Sequence, residues 1–257
     1  MNIKIISASP KKRFSASSYY SHILKIFFFG QNADIIKLRS IRDYNRIAAG
    51  LDSADVLIFV FPVYVDAIPS TLLEYLYKLQ LQLEKTPKKL KVYAVNGCGF
   101  YEGRQCGLCL YMLKNWCIRC GLEWCGGLGI GAGEMLNILR FAVPAGLTAD
   151  IILLIIRALF SISGGSVSVY ELLYGFFPWS LTVCTALYLI FSLGIFINLF
   201  SLSRSAVIRK YHGIKYTTVW FCPRFLFVVF ASLWWWFAAL FGHRVMPWSL
   251  FRRQNLK

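Results

Sequence analysis

Short apolar runs without alternation set the pattern of the first half of the chain. Residues 2–7, carrying Ile3, Ile5 and Ile6, and residues 55–61, Asp55-Val-Leu-Ile-Phe-Val-Phe61, have the composition of strands covered on both faces, as in a parallel sheet. Weaker runs of the same kind lie at 33–38 and 91–96. Helical spacing falls between them, at about 17–29, 70–84 and 105–120. The second of these opens with Pro69-Ser70-Thr71 and sets Leu72, Leu73, Leu76 and Leu79 on one face. Repeated alternation of strand and helix predicts right-handed crossovers and an open, doubly wound α/β sheet.

In such sheets ligands bind beyond the carboxyl ends of the strands. Three segments stand at those ends. After the first strand comes Ser7-Ala8-Ser9-Pro10-Lys11, followed by Ser15, Ser17 and Ser18 at the start of a helix. Hydroxyls, a lysine and the free N–H groups of a helix N-terminus together suit a phosphate, although a solvated turn capped by a serine has the same composition. After the third strand comes Pro62-Val63-Tyr64-Val65-Asp66, and after the fourth Asn96-Gly97-Cys98-Gly99-Phe100-Tyr101-Glu102-Gly103. Tyr64, Phe100 and Tyr101 offer planar faces, and the glycines allow close backbone approach. One phosphate corner and two aromatic-bearing loops suit a phosphorylated planar cofactor.

The second half has a different pattern. Residues 1–130 carry 17 Lys/Arg and 9 Asp/Glu, against 11 and 3 in residues 131–257. Leu172 to Ser203 holds no charge and no histidine over 32 positions, more than the roughly 20 residues that cross a hydrocarbon core. Phe225 to Gly242 is a second uncharged stretch, with Trp234, Trp235 and Trp236, long enough to span or to lie in an interface. The pattern predicts a globular domain over 1–165 and a helical, membrane-associated region over 166–257.

Orientation admits two arrangements. The connector holds Arg204, Arg209, Lys210, Lys215 and Arg224, and the tail Arg244, Arg252, Arg253 and Lys257; both favour the cytoplasmic side, so one crossing by 172–203 fits poorly. Either Leu147 to Phe160 also inserts, at a cost of about 2.5–3.5 kcal/mol for each of Asp150 and Arg157 near the bilayer centre, or the apolar stretches are buried at the interface without crossing. Met1 leads into a strand pattern rather than a secretory signal, which sets the first domain in the cytoplasm. The net charge of +16 then points to anionic lipid headgroups rather than nucleic acid, for which no binding module is present.

Eight cysteines raise the question of a metal. Cys106-x-x-Cys109 and Cys117-x-x-Cys120 have a ligand-like spacing. On one helix the pairs stand about 16 Å apart along the axis, too far to share one ion. All four fall near one helix face with Leu113 and Trp116, which predicts thiols packed on the sheet and no metal. A cytoplasmic setting disfavours disulfides. Cys98, in a loop at a strand end, is the cysteine with a candidate functional place. His22, His212 and His243 form no ligand set.

Ala8-Ser9-Pro10-Lys11 with Ser15, Ser17 and Ser18, Pro62-Val63-Tyr64 after Ser53-Ala54-Asp55, Asn96 to Gly103, and Gly126 to Glu134 together resemble the flavodoxin-like NAD(P)H-dependent FMN reductase family over residues 1 to about 160. Ala8 stands where that family usually has Gly, and Lys11 where it has Arg. The resemblance implies a flavodoxin-like sheet of order 2-1-3-4-5. By it, Ser9, Lys11, Ser15, Ser17 and Ser18 hold the FMN phosphate, Pro62, Val63 and Tyr64 line the isoalloxazine ring, and Asn96, Gly97, Cys98, Gly99 and Phe100 close its other edge. It implies hydride transfer from NADH or NADPH and then electron transfer to an acceptor; the flavin supplies the chemistry, so no catalytic side chain is needed. The membrane-associated half suggests a lipid-soluble acceptor such as a quinone, with a protein acceptor and a homodimer as further expectations. Asp66 and Glu102 stand near the ring loops. The competing readings are a membrane-anchored scaffold that has lost its flavin and a redox carrier without a nicotinamide site.

Overall fold

The computed structural model describes residues 1–11, 15–40, 43–51, 53–64, 66–133 and 179–218, with scattered positions over 136–159 and 224–236. Two compact units result, Met1–Trp220 and Phe221–Lys257. Strands β1 (Asn2–Ser7), β2 (Asn32–Lys37), β3 (Val56–Pro62), β4 (Lys91–Gly97), β5 (Glu123–Ile130) and β6 (Gly213–Thr217) form one sheet of order β2-β1-β3-β4-β5-β6. Every pairing is parallel. The order reverses between β1 and β3, which is the switch point where doubly wound sheets hold ligands.

Apolar side chains alternate across the sheet and fill two layers. One face carries Ile6, Leu57, Phe59, Phe61, Val92 and Ala94 against helices α2 (Asp43–Leu51), α3 (Ser70–Lys85) and α4 (Gly107–Arg119), which contribute Ile47, Leu72, Leu76, Leu110 and Leu113. The alternate strand positions Ile3, Ile5, Ile58, Val60, Tyr93 and Val95 are also fully buried. They face the layer of α1 (Ala16–Phe27) and α5 (Trp179–Val207), which brings in Tyr20, Leu24, Ile195, Leu199 and Leu202. The fold therefore matches the expected doubly wound sheet and its 2-1-3-4-5 order, extended by one strand.

That sixth strand and α5 correct the expected division at residue 165. Within the 172–203 stretch, Ser192, Ile195, Leu199, Leu202 and Ser203 are fully buried, and Phe27 of α1 sets its ring edge-on against Phe196 and Phe200 at 6.5 and 5.5 Å. Among the described residues no helix is long and apolar enough to cross a membrane, and this part of the stretch is a crossover helix of the sheet. The supposed connector is likewise part of the fold. Arg209 pairs with Asp55 at 2.9 Å, Lys91 Nζ donates to the Arg209 carbonyl, and Tyr93 Oη donates to the carbonyls of Ser205 and Lys210. These contacts tie the turn after α5 to β3 and β4, and the Ser205 carbonyl also accepts the Lys210 N–H at 2.9 Å. Lys215, expected in a basic connector, lies on edge strand β6, where a charge discourages further pairing.

In the second unit, Phe225, Val228, Val229, Leu233 and Trp236 are helical and exposed; Trp234, Trp235 and positions 237–242 lie outside the described residues. Within the 147–160 stretch, Ile151, Ile152, Ile155, Ile156 and Leu159 are exposed.

Candidate functional site

A cleft opens where β1, β3 and β4 end. Its walls are Ser9, Lys11, Ser15, Ala16, Ser17, Pro62, Val63, Tyr64, Gly97, Cys98, Gly99 and Gly133, around about 420 Å³ of space open to solvent. All three loops marked out in the sequence meet here. Ser18, Asn96 and Phe100 do not line it, and Ala16 and Gly133 do.

The phosphate corner is built on the start of α1. Ser15 is the N-cap, in extended conformation, and its Oγ accepts the Ser18 N–H at 3.2 Å. Ser18 is thereby committed to the cap, and its carbonyl meets His22 Nδ1 at 2.6 Å. Ala16 and Ser17 stand in the first turn, where helix geometry provides no intrahelical acceptor for their N–H groups. Ser9 is 5% exposed, and its Oγ has no hydrogen-bond partner. A buried unpaired hydroxyl costs about 1–3 kcal/mol, so a ligand oxygen at this corner has a donor waiting. Lys11 adds positive charge on the same wall. Ala8 is fully buried and donates to the Val60 carbonyl at 2.8 Å. It is absent from the non-glycine residues at positive φ, so the turn does not need glycine's backbone freedom there.

The second wall is a tight turn after β3. Tyr64 and Ala67 exchange N–H···O bonds of 3.1 and 3.0 Å, with Asp66 at φ 58°, a conformation Asp tolerates better than most residues. Tyr64 is 38% exposed, so its ring is a free face at the cleft mouth. Phe100 is exposed but off the wall; its carbonyl accepts from Ala132 and from the Cys98 thiol.

The third wall is pinned from β5. Cys98 N–H donates to the Ile130 carbonyl at 2.9 Å, and Gly133 N–H to the Cys98 carbonyl at 3.0 Å. Ala132 holds φ 57°, which costs a non-glycine residue roughly 1–2 kcal/mol. A Cβ on Gly133 would come within 3.1 Å of Tyr20 Oη, so a side chain there would crowd the cleft floor. Sequence reading linked the Gly126 to Glu134 segment to the family but did not put Gly133 on the wall; the distance between β4 and β5 in sequence hides that contact.

Asn96 ends β4 fully buried behind the wall, and both ends of its amide lack a hydrogen-bond partner. Around it are three thiols. Cys106 Sγ lies 3.4 Å from the Asn96 carbonyl and Cys109 Sγ 3.7 Å from that of Asp66. The neighbouring Cys106 thiol holds that of Cys98 below its ordinary range, and Cys98 together with burial raises that of Cys106. Burial raises Cys109 to about 11. Cys109 and Cys117 pack beside Leu110 and Leu113, whereas Cys120 is half-exposed.

No family profile and no curated protein matches the chain. Solved structures of similar fold include the Trp repressor binding protein from Bacillus subtilis, 18% identical, covering 51% of this chain and 84% of that one at a TM-score of 0.40. An NADPH-quinone reductase from P. pentosaceus is 14% identical over 51% of this chain and 86% of that chain, at 0.44. An NAD(P)H:quinone oxidoreductase from Methanothermobacter marburgensis is 15% identical over 55% and 92%, at 0.40.

Proposed function

We propose that the protein is an FMN-dependent NAD(P)H oxidoreductase acting at a membrane face, with a quinone or a protein as electron acceptor. The observation that carries the flavin reading is the unpaired, buried Ser9 hydroxyl at the N-terminus of α1, in a cleft that also presents Tyr64 at the switch point of the sheet. The residues fit the group. Ser9, Ser15, Ser17 and Lys11 with the first-turn N–H groups would hold a phosphate; Pro62, Val63 and Tyr64 would lie along a planar ring; Gly97 and Gly99 let the loop backbone approach its edge. Bound FMN would supply two-electron redox chemistry between a nicotinamide and an acceptor. The protein's own part is position and charge: Lys11 and the helix dipole offset phosphate charge, and the pinned third wall fixes the loop beside the ring.

The membrane reading rests on exposed apolar surface. On the outer side of α5, Leu189, Ile190, Leu193, Ile197 and Phe200 are exposed, and Ile26 and Phe29 stand free at the end of α1, Phe29 at 95%. Exposed apolar side chains grouped on one helix side suit lipid or partner contact. The excess of Lys and Arg suits the anionic headgroups of such a surface.

The test is the visible spectrum of the purified full chain after addition of FMN. Binding should quench flavin fluorescence, and NADH or NADPH should bleach the flavin band under anaerobic conditions. Ser9→Ala should weaken FMN binding roughly tenfold, the loss of one hydrogen bond to a charged group. No binding by a folded wild type would sink the flavin reading and leave the scaffold; binding without bleaching would leave the carrier.

A further inference from the structure

The sixth strand ends against the loop that closes the cleft. Strand β6 runs beside β5 as far as the pairing of Ile130 with Thr217, and the next N–H along, that of Gly131, donates to the Thr217 carbonyl at 2.9 Å. Thr218 stands just beyond the strand, and its Oγ1 donates to the Tyr101 carbonyl at 2.5 Å, a bond between residues 117 positions apart. Tyr101 belongs to the same loop as Cys98 and Gly99 of the cleft wall. Packing is close around that bond. A Cβ on Gly103 would strike the Thr217 carbonyl, and one on Gly131 the Tyr101 carbonyl, so glycine at both positions lets the segments touch. We infer that Thr218 is a positioning residue for the third wall, holding Tyr101 and with it the backbone of Cys98 and Gly99 beside the ring of a bound ligand. The ligand is the flavin proposed for the cleft, so this assignment rests on that proposal.

The loop leaves the sheet after Gly97, where β4 ends, and beyond that point its carbonyls need donors from outside the ladder. The end of β5 supplies two. Ala132 N–H reaches the Phe100 carbonyl at 2.5 Å, and Gly133 N–H that of Cys98 at 3.0 Å. Thr218 supplies another at Tyr101, from a side chain rather than the backbone, so a substitution can remove it without breaking the sheet. Loss of the hydroxyl leaves the loop more conformations to give up when a ligand binds, which lowers affinity. The effect belongs to the ring side of the cleft. The phosphate corner rests on other ties, the Ala8 N–H to the Val60 carbonyl and the Ser15 cap of α1, and neither involves β6. FMN and riboflavin share the ring and differ in the phosphate, so both should lose affinity by one factor when position 218 loses its hydroxyl.

The test compares the full chain as wild type, Thr218→Val and Thr218→Ser, by the quenching of FMN and of riboflavin fluorescence. Valine keeps the shape without the donor, and serine keeps the donor. Thr218→Val should bind both flavins roughly fivefold more weakly, the worth of one neutral hydrogen bond, with the ratio of the two affinities as in the wild type. Thr218→Ser should restore most of the loss. Amide hydrogen exchange reads the loop with no flavin present: Ala132 and Gly133 should be protected in the wild type and exchange roughly fivefold faster in Thr218→Val, while Ala8 stays unchanged. A wild type that binds neither flavin overturns the flavin reading and this inference together. Equally tight binding by Thr218→Val, or a loss confined to FMN, overturns the positioning role and leaves the flavin reading standing. Unprotected Ala132 and Gly133 amides in the wild type overturn it as well, so a variant that fails to fold does not rescue it.

Discussion

His212 shows how one buried side chain can set a pH dependence unrelated to the cleft. It is 8% exposed; Nδ1 lies 3.0 Å from Ser205 Oγ, and Nε2 has no hydrogen-bond partner. Burial, helped by Lys215, lowers it to about 4 from an ordinary 6.5. Between those values the unfolded chain binds a proton that the folded one does not. Its contribution is therefore intact above pH 6.5 and lost as pH falls toward 4, with a slope of at most about 1.4 kcal/mol per pH unit. Urea midpoints measured from pH 7 to pH 4.5 should fall, and His212→Gln should flatten that decline; an unchanged slope would assign it to other groups. At this scale the sequence was legible where local chemistry decides. A serine cap in the Ser-rich turn is visible there, although the cap is Ser15, one residue earlier than a helix starting near 17 implies. Asn96 was not, because one residue of strand register decides whether its amide meets the cleft or the buried thiols.

At the scale of elements, the alternation of strands and helices over the first 120 residues gave four strands of the sheet, with β5 entering only through the order that the resemblance implies, whereas α5 and β6 were not legible. Helix α5 is apolar on the side that meets α1 and the sheet and also on its outer side, and hydropathy does not distinguish protein from lipid as the covering medium. Strand β6 has five residues in a basic setting, too short for alternation to stand out. α2 was missed because it carries few apolar positions. The two sides of α5 make a direct test. Leu199→Ala removes a fully buried side chain and should cost about 2–5 kcal/mol. Ile197→Ala removes one that is 58% exposed and should stay within about 0.5 kcal/mol. Denaturant unfolding of the full chain measures both; equal losses would mean that the outer side of α5 is also covered by protein.

For the whole molecule, the question is what covers that outer side. Fifty-seven per cent hydrophobic content with a net charge of +16 is a pairing that suits an anionic bilayer. Basic groups near such a surface gain about 1 kcal/mol each, and exposed isoleucine, leucine and phenylalanine gain by leaving water for the acyl boundary. Arg204 is exposed one turn beyond Phe200 on α5, so charge and apolar surface occur on the same helix. The two terms separate in a sedimentation experiment with the full chain. Vesicles of mixed phosphatidylglycerol and phosphatidylcholine should carry the protein down, and raised salt should weaken but not abolish this, because only the electrostatic term is screened. Ile197→Glu with Leu193→Glu should release the protein at high salt while leaving its unfolding midpoint nearly unchanged. If instead the wild type stays with the supernatant and the same pair of substitutions dissolves a dimer, the face belongs to a second copy of the chain.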